Sequence, residues 1–179
     1  LPSLSDNKTQ VIYHSIDPFK KKIKKNKQII FVGKLNESKG YDLYCKAMFK
    51  ILDSNKDWKA YSIGEEKRFR NFPTHNRHKS LGQISHNKVL NYLSKSEIAM
   101  IPSRWEEPFG RTAMEASSRG CATIISKQGG LPETTDYAIK LKKLEVFSEV
   151  DSVGIEVYRN KNQFKNLNNI KKSKNISPK

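Results

Sequence analysis

Apolar residues arrive along this chain in short unbroken runs, spaced by amphipathic stretches. Gln28-Ile29-Ile30-Phe31-Val32 is β-rich and stops at Gly33. After Gly40, apolar side chains fall at Leu43, Tyr44, Ala47, Met48, Ile51 and Leu52, the rhythm of a helix with one buried face. Trp58 to Ile63 predicts a second strand, closed by Gly64, and Ser80-Leu81-Gly82 a short third strand or its end. Ser85 suits the N-cap of a helix that buries Val89, Leu90 and Leu93. Ile98-Ala99-Met100-Ile101 predicts a strand halted by Pro102. Arg111 to Ser118 predicts a helix ended by Gly120, and Ala122 to Ile125 a further strand. A weaker strand is expected at Ala138 to Leu141, ahead of Val146, Val150 and Val153. Beyond Ile155 apolar residues are sparse, and a helix fraying into disorder is expected there.

Strands that are apolar throughout, rather than alternating, are covered on both faces. Alternated with helices, they predict an α/β fold: a Rossmann-like, doubly wound parallel sheet. In such sheets ligands bind beyond the carboxyl ends of the strands. The loops after Val32, Ile63, Leu81, Ile101 and Ile125 are therefore where function is expected.

Charge changes this picture little. The 34 Lys and Arg against 18 Asp and Glu give a net charge of +16, which opens a nucleic-acid reading. The excess lies in the flanks, at 20–27 and 159–179, whereas 97–151 is slightly acidic. No platform of alternating aromatic and basic residues accompanies the flanks. A non-catalytic nucleotide- or nucleic-acid-binding module thus stands as the alternative, and an anionic membrane surface as a candidate partner of the clustered lysines. No run approaches the roughly 20 apolar residues of a membrane-spanning helix. The first residues lack the basic flank and apolar run of a signal peptide. With no initiator Met, the chain reads as part of something longer. Cys45 and Cys121 show no CxxC spacing, which argues against a structural zinc site or disulfide framework and fits a reducing compartment.

The candidate chemistry is concentrated in Pro102-Ser103-Arg104-Trp105-Glu106-Glu107-Pro108-Phe109-Gly110-Arg111-Thr112-Ala113-Met114-Glu115-Ala116. A strand ends, a loop carries an acid, and a helix begins at Gly110. The amides of Gly110, Arg111 and Thr112, at the positive end of that helix, suit a phosphate. Glu115 can accept both hydroxyls of a ribose, and Glu107 is placed to reach what hangs beyond the phosphates. Arg104 and Arg111 flank the acids, and pairing of either with Glu106 competes with ligand contact. His14, His75, His78 and His86 share no metal-ligand spacing. His75 and His78 are expected as surface residues. His14 approaches the site only if the linker folds over it. Trp105 and Phe109 read equally as packing, and Gly129-Gly130 as a tight turn or a close backbone approach. Glu133 is expected to cap the short helix after it.

The segment resembles the signature of the family 4 retaining glycosyltransferases: Pro-Ser, an acid before Phe-Gly, then Glu-Ala eight positions on. Val11-Ile12-Tyr13-His14-Ser15-Ile16-Asp17, Phe31-Val32-Gly33-Lys34-Leu35, Lys39-Gly40, Ser62-Ile63-Gly64, Leu81-Gly82-Gln83 and Gly129-Gly130-Leu131-Pro132-Glu133 fit the same family in order. The resemblance implies the C-terminal, donor-binding half of a two-domain GT-B enzyme, preceded by an acceptor-binding domain. It implies a linker and entry strand over 1–27, a nucleotide-sugar domain over 28–153, and a C-terminal helix and tail over 154–179. It implies Glu107 on the donor sugar and Glu115 on the ribose. It places Lys34 and Lys39 on the diphosphate, with Lys39 and Glu107 as the catalytic pair. Gly33, Phe109, Gly110, Arg111 and Thr112 would complete the donor site, and Ile63, Gly64, Leu81 and Gly82 would frame the base. Lys34 stands where the family usually has Arg; it keeps the charge but loses the two-pronged grip. No Asp-x-Asp motif occurs, so no metal and no cofactor are expected. The expected partners are a nucleotide-diphosphate sugar and a glycan or lipid-linked acceptor, with no nucleic acid. The implied setting is lipopolysaccharide or other surface-glycan assembly, in the cytoplasm or at the inner face of its membrane.

Overall fold

A computed structural model describes residues 12–16, 19, 23–68 and 72–141. Six strands form one parallel sheet: β1 Asn26–Val32, β2 Lys59–Ile63, β3 His78–Ser80, β4 Ser96–Ile101, β5 Ala122–Ile125 and β6 Ile139–Lys140. Their spatial order is β3-β2-β1-β4-β5-β6. Three helices connect them: α1 Tyr41–Ser54, α2 His86–Lys95 and α3 Arg111–Ser118.

Residues alternate across the sheet and build two separate cores. On one face Ile29 and Phe31 of β1 meet Tyr41, Tyr44, Met48 and Leu52 of α1. On the other, Ile30 joins Leu93 of α2 and Ala113 and Ala116 of α3. Each large side chain buried this way contributes roughly 1.5–3 kcal/mol. The rings of Phe31, Tyr41 and Tyr44 lie with centroids 5.1–5.8 Å apart. The buried Tyr44 hydroxyl donates to the Tyr61 carbonyl at 2.8 Å, which offsets the cost of burying a polar group. The parallel, doubly covered sheet expected from the apolar runs is the one found.

Three local expectations shift. The third strand is centred two residues earlier, at His78–Ser80, because its ladder pairs Ala60, Tyr61 and Ser62 with His78, Lys79 and Ser80. This makes His78 more than a surface residue: its Nε2 lies 3.1 Å from the Ser62 hydroxyl. His75 likewise sets its Nε2 3.3 Å from Asp53 with its side chain largely buried. Ser85 is the N-cap of α2, as expected, through its backbone and with no side-chain hydrogen bond. Val11, Asp17, Lys20–22, Val146, Val150, Val153, the 153/154 boundary and the tail after Ile155 lie outside the described residues.

The strand order fixes where a site can form. The chain runs outward through β1, β2 and β3, then returns to the far side of β1 for β4, β5 and β6. The connections leaving β1 and β4 therefore pass to opposite faces, and a crevice opens beyond their carboxyl ends.

Candidate functional site

Two loops line that crevice, and the main chain locks them together. After β1, Asn36 accepts the Lys39 amide at 3.0 Å and holds a single 3-10 turn, Glu37–Lys39. The Ser38 carbonyl at its centre accepts the amides of Arg104 and Trp105, at 2.8 and 3.0 Å, from the loop after β4. A Cβ on Gly40 would stand 1.9 Å from the Pro102 carbonyl oxygen, so the loops approach as closely as they do only with glycine there. Arg104 bridges the same junction. Its guanidinium grips Asp42 through both oxygens, at 2.6 and 2.8 Å, and donates to the Glu37 carbonyl at 2.7 Å. Burial alone would raise the Asp42 pKa, but the hydrogen bonds and charge of Arg104 outweigh it and hold the carboxyl below its usual range. Arg104 therefore pairs with Asp42 and not with its neighbour Glu106.

This clamp brings Lys39 to Glu107. Lys39 Nζ donates to Glu107 Oε1 at 2.7 Å, with both side chains largely buried. The two residues are 68 positions apart. Glu107 is backed from below by Gly129 and Gly130: the Gly130 amide donates to the Glu107 carbonyl at 2.6 Å, and a Cβ on Gly129 would stand 2.3 Å from that oxygen. The Gly-Gly pair is a close backbone approach, made to the acid loop.

Helix α3 starts at this point. Gly110 is its N-cap, with φ 88 in the left-handed region, and a Cβ there would fall 2.5 Å from Leu131 Cδ2. The Gly110 carbonyl accepts from Ala113 and Met114, at 2.9 and 3.4 Å. The amides of Arg111 and Thr112 belong to the first turn, which has no acceptor of its own, at the positive end of the helix. One turn later Glu115 is nearly buried, 7% exposed. Its Oε1 is hydrogen-bonded to His86 Nε2 at 3.0 Å and forms an ion pair with Arg111 Nε at 3.4 Å, both from exposed side chains. Arg111 thus pairs with Glu115 and not with Glu106. His86 is a neighbour that sequence spacing did not single out. The available signal was its position as the first residue of the helix that follows β3.

The remaining expected residues lie along the same carboxyl edge. The Gly33 amide donates to the Ile63 carbonyl and the Gly64 amide to the Gly82 carbonyl, each at 2.9 Å. These bonds fasten the ends of β1 and β2 to the loop after β3. Leu81 is half-buried against the α2–α3 core. Lys34 is exposed on the β1 loop, and the structure does not join it to Lys39 or Glu107. Phe109 is half-buried, with the rings of His14 and Tyr13 at 5.0 and 6.1 Å. The linker does fold over, and His14 reaches the site's edge. Trp105 is 58% exposed. Glu133 caps no following helix. It closes its own 3-10 turn, Leu131–Glu133, and accepts the Tyr13 hydroxyl at 3.0 Å, which raises the Tyr13 pKa.

Residues 14–139 match the model of the family described as "Glycosyl transferases group 1". The chain belongs to this family. Among its relatives is the "uncharacterized 42.6 kDa protein in cps region" of Klebsiella pneumoniae, 27% identical over 133 residues, which cover 74% of this chain and 35% of that protein. The chain spans about a third of the length of the curated relatives it matches. A solved C-terminal domain of a glycosyl transferase group 1 family protein from Francisella tularensis superposes with a TM-score of 0.67 at 20% identity, over 79% of this chain and 80% of that one. A trehalose-6-phosphate structure from E. coli, bound with UDP-2-fluoro glucose, gives 0.64 at 11% identity over 78% of this chain and 38% of that one. The fold is that of a GT-B glycosyltransferase domain. Among the described residues no helix is long and apolar enough to cross a membrane.

Proposed function

We propose that this chain is the donor-binding part of a glycosyltransferase, holding a nucleotide-diphosphate sugar at the carboxyl ends of β1 and β4. One observation carries the reading. An ion pair, a helix N-terminus and a nearly buried carboxylate, contributed by three separate loops and helices, converge where a doubly wound sheet reverses direction. In this reading the diphosphate lies against the Arg111 and Thr112 amides, with Lys34 and Lys39 neutralising it. Its ribose faces Glu115, its base lies over Ile63, Gly64, Leu81 and Gly82, and Glu107 meets the sugar hydroxyls.

The chemistry follows from the charge. Breaking the anomeric bond puts negative charge on the leaving diphosphate. Fixed cations and amides that interact more strongly as that charge develops lower the barrier. Lys39 is the residue best placed to do so, because a diphosphate can take it over from Glu107 and free that carboxylate for the sugar. We assign transfer with retention, with the lysines and the helix end in the role a divalent ion fills elsewhere. The E. coli structure with bound UDP-2-fluoro glucose supports a nucleotide sugar as donor. The cps-region relative supports an acceptor in lipopolysaccharide or other surface-polysaccharide synthesis, a glycan or lipid-linked sugar bound by a separate domain. The basic flanks would hold the enzyme peripherally at the inner face of the cytoplasmic membrane. Calorimetric titration of the chain with uridine, guanosine and adenosine diphosphates tests the assignment. One of them should bind and raise the melting temperature; a folded chain that binds none would end the donor-site reading.

A further inference from the structure

Glu115 needs help to serve as a ribose acceptor, and the structure shows where that help comes from. A carboxylate offers two oxygens and about four lone-pair sites, and which of them faces a ligand depends on the rotamer its neighbours hold. Here Oε1 has two partners of different character, one hydrogen-bonded and one an ion pair. Arg111 lies on the same helix one turn back, its Nε at 3.4 Å and its side chain 69% exposed. That contact is long. Arg111 also stands beside the first-turn amides, where an arriving phosphate would draw the guanidinium away. His86 comes from a different element. It opens α2, directly after the loop whose Gly82 carbonyl is bonded to the Gly64 amide. Its Nε2 is closer, at 3.0 Å. Since a carboxylate can only accept, that nitrogen carries the hydrogen.

We propose that His86 is a positioning residue for the sugar of the nucleotide: its Nε2–H fixes Glu115 Oε1, so that Oε2 faces the 2′-hydroxyl and the site prefers ribose to deoxyribose. This rests on the donor-site reading. Once a diphosphate has engaged Arg111, His86 remains as the donor that keeps a nearly buried carboxylate oriented. Because His86 is anchored on α2 and Glu115 on α3, the contact also couples the wall beside the base to the floor under the ribose.

The experiment compares each ribonucleoside diphosphate with its 2′-deoxy counterpart, for uridine, guanosine and adenosine, by calorimetry on the wild-type chain, His86→Ala and His86→Gln, with melting temperatures measured in parallel. The wild type should favour the ribonucleotide by about tenfold, the worth of one good hydrogen bond to a charged group. In His86→Ala that preference should fall to about twofold or less, while affinity for the deoxynucleotide stays within about twofold of wild type. His86→Gln, which retains an N–H donor, should recover most of the preference. A purely structural role would weaken both nucleotides together. An unchanged preference in His86→Ala, or an equal loss for both sugars, overturns the inference alone. Failure of the wild type to bind any ribonucleotide overturns the donor-site reading and this inference with it.

Discussion

At the amino end of the sheet, Lys25 lies half-buried with its ammonium donating to the Leu93 and Arg119 carbonyls at 3.1 and 2.8 Å, and 3.8 Å from Cys121 Sγ. At the carboxyl end, Lys39 is also largely buried, but its partner is the Glu107 side chain. The difference lies in the partner: main chain at one end, a side chain at the other. Leu93 and Arg119 sit at the ends of α2 and α3, where helix carbonyls gather negative charge, and such partners cannot rotate away. Burial lowers the Lys25 pKa, with Cys121 acting in the opposite direction, yet the ammonium stays useful as a clip between two helix ends. Side-chain partners at the opposite end can separate. In the proposed donor site Lys39 would pass from Glu107 to a phosphate, and Glu115 from Arg111 to a hydroxyl, without disturbing the backbone that positions them.

Removing each kind of cation contact should therefore have opposite signatures. Lys25→Met should lower stability by about 2 kcal/mol, the scale for leaving buried acceptors short of a donor, and leave nucleotide affinity unchanged. Denaturant melts and calorimetry on the one variant read both quantities. Glu115→Gln should do the reverse. Affinity for a nucleoside diphosphate should fall about tenfold, a loss of about 1.4 kcal/mol, with stability altered by less. If both variants lost stability and neither lost affinity, the contrast between the two ends would be false.

Glu107→Gln sharpens the distinction further. It removes the competitor for Lys39, so a bare diphosphate should bind about threefold more tightly, about 0.7 kcal/mol. Turnover by the full-length enzyme should fall, because the sugar exchanges a charged carboxylate acceptor for the weaker, neutral amide oxygen of glutamine. Tighter binding together with lost turnover is the signature to look for; weaker binding would mean that Glu107 helps to hold the diphosphate itself.

The sequence revealed these two ends unequally. Apolar runs located the strands because a doubly covered parallel sheet demands them, and the Pro-Ser to Glu-Ala segment marked the candidate site because its residues are contiguous. Pairings between distant segments stayed hidden. Arg104 stands next but one to Glu106, yet it reaches Asp42, 62 positions away, because the Ser38 carbonyl has already drawn its backbone to the β1 loop. Glu133 departs from its expected capping role for the same reason: its partner, Tyr13, is 120 residues distant. His86 meets Glu115 across two helices, a contact no local periodicity encodes. Lys25 looked like one more lysine in a basic flank, and only the packing of α2 against α3 shows what it does.

The smallest effect belongs to the sheet's edge. Burial, with the charge of His75 as a lesser cause, holds the His78 pKa below its ordinary 6.5. The folded state then binds this proton less readily than the unfolded chain, so stability is complete above pH 6.5 and declines as the pH falls from there to the depressed value. His78→Gln should flatten that part of the stability profile without changing the site.

Amide chemical-shift mapping as the preferred nucleoside diphosphate is added most directly tests whether the carboxyl end is the one that yields its charges to a ligand. Shifts should concentrate at Gly33, Lys39, Gly110, Arg111, Thr112 and Glu115, and leave Lys25, Asn26 and Gly120 unmoved. Shifts gathered around Lys25 and the ends of α2 and α3, with Gly110 to Thr112 silent, would contradict the account.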